Sequence, residues 1–331
     1  MKMNTTRLQR ALPLLALILS MLVPVAAGAQ GSDYPNRPVK LVVPFAAGGS
    51  AFDIGARVLA DKWSQALGQP VLVENRTGAG GLIAMQSVMR AAPDGYTLVT
   101  FNADLMSIIP SLQKTPPYDP LKDFAFVGTL MRFSGMILAV NPKLPVRTIE
   151  DLVRVARASP NALNYGTYGI GSLPHLGFEA LNAKLGLNLA HVPYKGGAAS
   201  FQAAMVGEVQ FVAGGSLLDL VRDGRLRAIA VGGPRRLSQL PETPTFAELG
   251  LGDEMFGTSY FGIAAPAGTP QAIIDRLGAE LKKVSAMPDV AERLSKFAEA
   301  TYIPPAEMSS MIRRDVNFFV PLVKSLGLAN Q

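Results

Sequence analysis

The chain has 331 residues, no cysteine and two histidines, with 31 basic and 25 acidic side chains and a formal charge of +6. That length can bury the cores of two ordinary domains, and the absence of cysteine excludes disulfides, thiolate metal sites and a lipid anchor on an N-terminal cysteine. Lys2, Arg7 and Arg10 carry three of the positive charges, which leaves +3 on the rest and no Lys/Arg run of the kind that nucleic-acid binding requires.

The first segment combines those three basic residues with the apolar run ALPLLALILSMLVPVAAGA, which is broken by Pro24. Ala27-Gly28-Ala29 then forms a small-residue cleavage signal before Gln30. This pattern reads as a secretory signal peptide over residues 1–29. An anchoring helix needs about 20 unbroken apolar residues. The mature protein is therefore expected to be soluble and to reside in the periplasm.

The next stretches alternate strand and helix. VKLVV (39–43) reads as a buried strand, followed by a helix from about Phe52 to Leu67. VLVEN (71–75) reads as a second strand, Gly81 to Ala91 as a helix, and YTLVTF (96–101) as a third strand. After FVGTLMRFSGMILAVNP the alternation resumes. Thr148-Ile149-Glu150-Asp151 opens a helix in the manner of a capping box, with Asp in place of Glu. LNYG (163–166), LAHV (189–192), VQFVA (209–213) and LRAIAV (226–231) read as strands, separated by helices at Ser172–Leu185, 197–206 and 216–223. TSYFGIAAP (258–266) is a last strand, and three helices start near Thr269, Pro288 and Pro305. Thr269-Pro270 places a proline at the first helical position. Strands alternating with helices of this length imply βαβ units and largely parallel sheets. Two such blocks, with crossings near 130–137 and 255–262, predict two α/β lobes around a cleft.

Catalytic constellations are absent from the pattern. Gly49-Ser50 and Gly215-Ser216 lack the flanks of a nucleophile elbow. No phosphate-binding GxxxxGK[ST] motif occurs, and GAGGLI (78–83) has Ile where a dinucleotide loop needs a third glycine. His175 and His191 stand 16 residues apart without an acid at ligand spacing, so neither a metal nor a cofactor is expected. What recurs is a strand, a run of small residues and a helix. The four instances are Ala47-Gly48-Gly49-Ser50, Thr167 to Ser172, Tyr194-Lys195-Gly196-Gly197 and Gly214-Gly215-Ser216. In a parallel sheet these turns share the carboxyl edge, where open α/β folds bind ligands through backbone N–H groups and helix N-termini. An anion suits such turns, and the turns alone leave carboxylate and phosphate equally open.

These residues carry a resemblance. YPNRPVKLVVPFAAGGSAFDIGAR, LNYGTYGIGSLPHLGFEAL, VPYKGGAASFQAAMVGEVQFVAG, GRLRAIAVGGPRRLSQLPETPTFAELGL and GIAAPAGTP together resemble the tripartite tricarboxylate transporter receptors, the Bug family of periplasmic solute-binding proteins. The resemblance covers residues 34–331. It implies a type II periplasmic-binding fold, or Venus flytrap, with lobe one at 30–131 and 257–331, lobe two at 132–256, and two crossing strands between them. It implies a monomer without catalysis, cofactor or metal that captures a carboxylate, a dicarboxylate or an aromatic acid, and delivers it to inner-membrane transporter subunits. The alternatives are a receptor that reports to a membrane sensor kinase and a secreted α/β hydrolase. Carried over by position, the ligand-binding residues are Ala47, Gly48, Ser50, Phe52, Asp53, Asn102 and Asp104 in lobe one. In lobe two they are Thr167, Gly171, Ser172 and His175, with Tyr194 and Gly196 nearby.

Two departures fall at the expected site. Three residues, Ser50, Ala51 and Phe52, separate the glycine pair from Asp53 where the family has two, and FNADLMSIIPSL lacks the histidine common there. Two roles are open for Phe52, stacking on an aromatic acid or packing beneath the helix, and packing is the more ordinary. Asp53 would repel a carboxylate in direct contact, so a helix cap that accepts backbone N–H groups is the expected role. His175 can act through its backbone N–H alone. Arg132 in the crossing strand is expected to be a solvated hinge arginine rather than a partner for a distal carboxylate.

Overall fold

A computed structural model describes residues 34–48, 51–133, 135–159, 162–252, 255–257, 259–295 and 298–329. The signal peptide expected at 1–29 and the site residue Ser50 lie outside them. Residues 35–331 form one compact unit. Its strands in chain order are β1 (Val39–Val43), β2 (Val71–Asn75), β3 (Thr97–Phe101), β4 (Phe124–Arg132), β5 (Ile137–Val140), β6 (Asn164–Thr167), β7 (Ala190–Pro193), β8 (Phe211–Gly214), β9 (Arg227–Val231), β10 (Tyr260–Pro266) and β11 (Glu299–Ala300). The helices are α1 (Ala51–Leu67), α2 (Leu82–Met89), α3 (Ala103–Ser107), α4 (Ile149–Ala158), α5 (Leu173–Leu185), α6 (Gly197–Val206), α7 (Leu218–Arg222), α8 (Gln271–Ser285), α9 (Pro288–Leu294) and α10 (Pro305–Ser325).

The strands form two sheets among the described residues. The first runs β11-β4-β10-β3-β1-β2, and the second runs β7-β6-β8-β5-β9. The fold is therefore α/β with two sheet-containing lobes, as the alternation implies. β1 pairs in parallel with β2 and β3, and β6 pairs in parallel with β7 and β8. β10 and β5 run antiparallel to their neighbours. The turns after β1, β6, β7 and β8 thus lie at carboxyl edges of parallel strands, the edge that positions a ligand site.

Period-two side-chain alternation puts each lobe's core on both faces of its sheet. In β5, Leu138 and Val140 join Tyr165, Phe178 and Phe256, while Ile137 and Ala139 join Phe201, Val212 and Val231 on the opposite face. In the first lobe Val42, Val99 and Phe101 pack with Met85, Leu105 and Ile312. α1 buries Val58, Leu59 and Trp63 completely.

Several local expectations shift. β4 is a nine-residue strand that the sequence reading passed over, and β11 holds only two residues. Pro270 caps α8 from outside at ψ 135° instead of occupying its first turn. Thr269 turns its hydroxyl back to the Pro266 carbonyl at 2.8 Å. Thr148 caps α4 as expected through the Asp151 N–H at 3.2 Å, but the Asp151 carboxylate accepts from Arg147 N–H, one residue earlier than in a capping box. α7 starts at Leu218 behind Leu217, so Ser216 does not cap it.

The crossings are held by close backbone approach. Phe133 N–H donates to Ser259 O at 2.8 Å, and Gly232 N–H donates to Met136 O at 2.8 Å. A Cβ on Gly135 would overlap the Gly232 carbonyl, and one on Gly232 would overlap the Phe256 carbonyl. Three chain segments can meet here only because two of them lack side chains. A third link joins the strands. α10 sends Met308 and Ile312 into the first lobe's core, while Phe318 and Leu322 pack on the second lobe's core. Ile108, Leu173, Leu176, Phe319 and Val323 form an apolar seam between the lobes. Pro321 lies inside α10 and removes a helical hydrogen bond, and the helix continues with Phe319 and Val323 packed on either side of it.

Gly232→Ala is expected to cost about 3 kcal/mol or more, because rigid backbone must move to admit the methyl group. Urea unfolding would measure it, with the exposed Ala46→Gly as a control expected to change stability by less than about 1 kcal/mol.

Candidate functional site

The loop after β1 contains alanine and glycine and little that could hold its shape. Ala46, Ala47 and Gly48 are exposed. Asp53, the third residue of α1 and 2% exposed, fastens the loop. Its Oδ2 accepts from Gly48 N–H at 3.0 Å and Arg57 Nε at 2.9 Å. Its Oδ1 accepts from Asn75 Nδ2 at 2.7 Å and Arg57 Nη2 at 3.1 Å. Asn75 Nδ2 also donates to Phe45 O at 2.9 Å, at the opposite end of the loop. Burial pushes the Asp53 carboxyl up, but the Arg57, Gly48 and Asn75 hydrogen bonds and the Arg57 charge outweigh it and hold the group below its ordinary value. Asp53 therefore closes the loop and is neutralised by Arg57. The spacing of four between these two was legible on a helix. Asn75 was not, because it reaches the site only through the pairing of Val43 with Asn75 across β1 and β2.

Phe52 is half-buried and packs its ring on Phe45 at 4.5 Å and on Phe133 at 4.9 Å, with the fully buried Phe261 at 6.0 Å. Phe45 and Phe133 are themselves half-buried. Arg132 pairs with Glu299 at 3.3 Å.

The turn after β3 adds Asn102 and Asp104. Asn102 caps α3 by accepting from Leu105 N–H at 3.0 Å. Asp104 takes a long hydrogen bond of 3.4 Å from Asn102 Nδ2 on one oxygen, while its Oδ1 is shielded from solvent without a hydrogen-bond partner. Burial raises its carboxyl to about 6 against the opposing Asn102 bond. Tyr168 of the second lobe registers this acid. Burial first, and then the Asp104 charge, push its phenol up. The sequence reading missed Tyr168, whose ring packs edge-on to Phe201 at 5.9 Å.

The loop after β6 is tied by its own side chains. Thr167 is fully buried, and its Oγ1 makes 3.2 Å contacts with both N–H and O of Gly169. Ser172 Oγ donates to Gly169 O at 2.7 Å. Gly171, at φ 74°, donates its N–H to His175 Nδ1 at 3.0 Å, which leaves the histidine proton on Nε2. His175 stacks on His191 at 3.9 Å, and His191 stacks in turn on Tyr165 at 5.2 Å and contacts Thr167 Oγ1 at 2.7 Å. Burial lowers both histidines. For His191, burial and then the neighbouring His175 bring it to about 4. The two are neutral rings in a packed stack. No group of three or more metal-ligating side chains occurs among the described residues.

Tyr194 donates its N–H to Thr167 O at 3.1 Å and packs its ring into the lobe's outer core. Gly196 precedes α6 at φ 105°. A groove of about 530 Å³ between α4 and the 249–251 turn shares no residue with any of these loops. Across the lobes, Leu112 abuts Gly171, where a Cβ would lie 2.7 Å from the leucine methyl. The structure thus brings Asn102 and Asp104 toward the Thr167–Ser172 loop. The Gly48 and Gly171 amides, two expected ligand donors, are engaged by Asp53 and His175.

The model of the tripartite tricarboxylate transporter family receptor matches residues 55–328. The chain belongs to this receptor family. A Cupriavidus necator relative, the UPF0065 protein in the gbd 5' region, is 37% identical over 311 residues, covering 93% of each chain. Three solved structures share the fold. The periplasmic binding protein BugD is 32% identical with a TM-score of 0.68, covering 90% of this chain and 100% of its own. R. palustris Rpa4515 with adipate is 30% identical at 0.70, with the same coverages. MatC from Rhodopseudomonas palustris with bound malate is 27% identical at 0.67, covering 88% of this receptor and 100% of its own chain. The receptor has the periplasmic-binding fold that the resemblance implied. No helix among its described residues is long and apolar enough to cross a membrane.

Two titrations of opposite sign follow. With folded pKa values below 6.5, the histidine pair binds fewer protons folded than unfolded between about pH 4 and 6.5, so its contribution to stability is lost as pH falls through that window. His191→Gln should flatten the stability difference between pH 7.5 and pH 5 by about 1–2 kcal/mol, discounted for partial exposure. Asp104 is raised, so the folded chain holds its proton more tightly and stability is lost as pH climbs from about 4 to 6. Asp104→Asn should stabilise the receptor by about 1–3 kcal/mol at pH 7.5 and much less at pH 4. Urea unfolding at those three pH values checks both.

Proposed function

We propose that this receptor is a periplasmic, non-catalytic solute-binding protein that captures a carboxylate between its lobes and presents it to the membrane subunits of a tripartite tricarboxylate-type transporter. The observation that carries the reading is that two proteins of the same fold, at 30% and 27% identity, hold adipate and malate. In this reading the lobes divide at 30–131 with 257–331 and at 132–256, and the protein works as a monomer after cleavage of residues 1–29.

The ligand lies against the exposed Ala46–Gly48 loop of lobe one and the Thr167–Ser172 and Tyr194–Gly197 turns of lobe two. Micromolar binding requires about 8 kcal/mol. A helix N-terminus gives about 0.3–1 kcal/mol per charge, rising to about 2 where partly buried. Charge-assisted hydrogen bonds at about 1.5–3 kcal/mol each supply the larger part. Rigidity matters as much as the donors, because a loop already fastened by Asp53 loses less entropy when the ligand arrives.

The experiment is a thermal-shift screen of the purified protein against malate, adipate, benzoate and terephthalate, with sugars, amines and phosphate esters alongside. A bound acid at 100 times its Kd stabilises the folded state by about 2.7 kcal/mol, a clear shift in Tm. Ser172→Trp should abolish the shift while leaving the unliganded Tm within a few degrees. A response to sugars, amines or phosphate esters alone would overturn the carboxylate reading, and an undiminished shift in the Ser172 variant would remove that loop from the site.

A further inference from the structure

We propose that the rings of Phe45, Phe52 and Phe133 wall the ligand site and that the carboxylate selected by this receptor carries an aromatic ring; the proposal rests on the carboxylate reading above. Phe45 and Phe52 stand at the two ends of the β1–α1 loop, and their centroids lie 4.5 Å apart. Any acid gripped by the exposed Ala46–Gly48 backbone sits beside a phenylalanine. Phe133 follows β4 on the segment that leads to the second lobe, and its centroid is 4.9 Å from that of Phe52. A ligand spanning from the loop toward the other lobe therefore passes along these rings.

The burial gradient within the cluster separates wall from floor. Phe261, stacked against Phe52, is completely buried, while Phe45, Phe52 and Phe133 remain half-buried. Packing alone gains most when the rings are wholly covered, so the open part of this apolar surface is what a flat ligand body would complete. Ring pairs tilted at 31° and 40° present faces and edges together, the arrangement aromatic partners favour over an exact sandwich. Charge agrees with this placement. The one acid of the loop, Asp53, is committed to Arg57, Asn75 and Gly48, so the surface beside the rings carries no uncompensated negative charge from it.

Calorimetry on the purified protein tests this with two matched pairs, terephthalate against adipate and benzoate against pentanoate. In each pair the carboxyl groups match and only the body differs. The aromatic member is expected to bind at least tenfold more tightly, equivalent to about 1.4 kcal/mol. Phe52→Leu and Phe133→Leu keep apolar volume and remove the ring, and each should reduce that ratio below about threefold with a Tm close to wild type. If one variant does not fold, the other carries the comparison. Aliphatic acids binding as tightly as aromatic ones, or a ratio that survives both substitutions, overturns the aromatic wall and leaves the carboxylate reading standing. Failure of all four acids to bind, with a ligand of another class bound instead, overturns both.

Discussion

The loop that follows the first strand depends on one buried carboxylate. Exposed alanine and glycine lose much conformational freedom on ordering and contribute few contacts in return. Asp53 supplies the missing constraint by accepting from Gly48 N–H at one end of the loop while Asn75, bonded to the same carboxylate, holds Phe45 O at the other. Arg57 cancels the charge from the next turn of the helix. An acid can therefore stand behind this loop without leaving an uncompensated negative charge there. The same node ties β1, β2 and α1 together, which makes the loop's position a property of the sheet as well as of the loop.

Much of this architecture was legible because it is local. The strand at 39–43 and the helix at 197–206 fall on the residues that periodicity and flanking glycines indicate. β4 escaped because its apolar residues continue on both sides of Ser134-Gly135 and Gly128 interrupts their period, and β11 because two residues carry no period. The glycine-rich turns of the candidate loops do lie at carboxyl ends of parallel strands. Their internal bonds were invisible, since Asn75 and Tyr168 arrive through strand register and lobe packing. The apolar stripe of α10 was readable, but its two destinations were not, and so a third link between the lobes was missed.

The second lobe's loop solves the same problem with other groups. Here the buried Thr167 hydroxyl, Ser172 and His175 hold the turn, and the histidine ring rests on a stack that continues through His191, Tyr165 and Phe178. Tyr165 Oη donates to Glu179, and Tyr165 and Phe178 both belong to the second lobe's core, so a hydrogen bond and apolar packing anchor the stack at that end. Neutral imidazoles suit this position. A charged pair at 3.9 Å would repel and would need solvation that the packing denies it. Both histidines thus support the loop through packing and the Gly171 and Thr167 contacts.

The aromatic cluster and the crossing segments are physically continuous, and this constrains how the two lobes can move. Phe133 bonds through its backbone to Ser259 and through its ring to Phe52, only two residues from the glycine contact between Gly135 and Gly232. β4 and β10 pair up to Arg132 and Tyr260, so a change of angle between the sheets would fall beyond them, where Gly135 and Gly232 meet. The apolar seam of Ile108, Leu173, Leu176 and Phe319 resists sliding on the other side. Phe133 extends the β4–β10 pairing through Ser259 O, so its ring contact with Phe52 belongs to the same edge. On the proposed reading, a ligand ring seated against Phe52 and Phe133 would add its packing to a segment that the Phe133–Ser259 bond already holds in place.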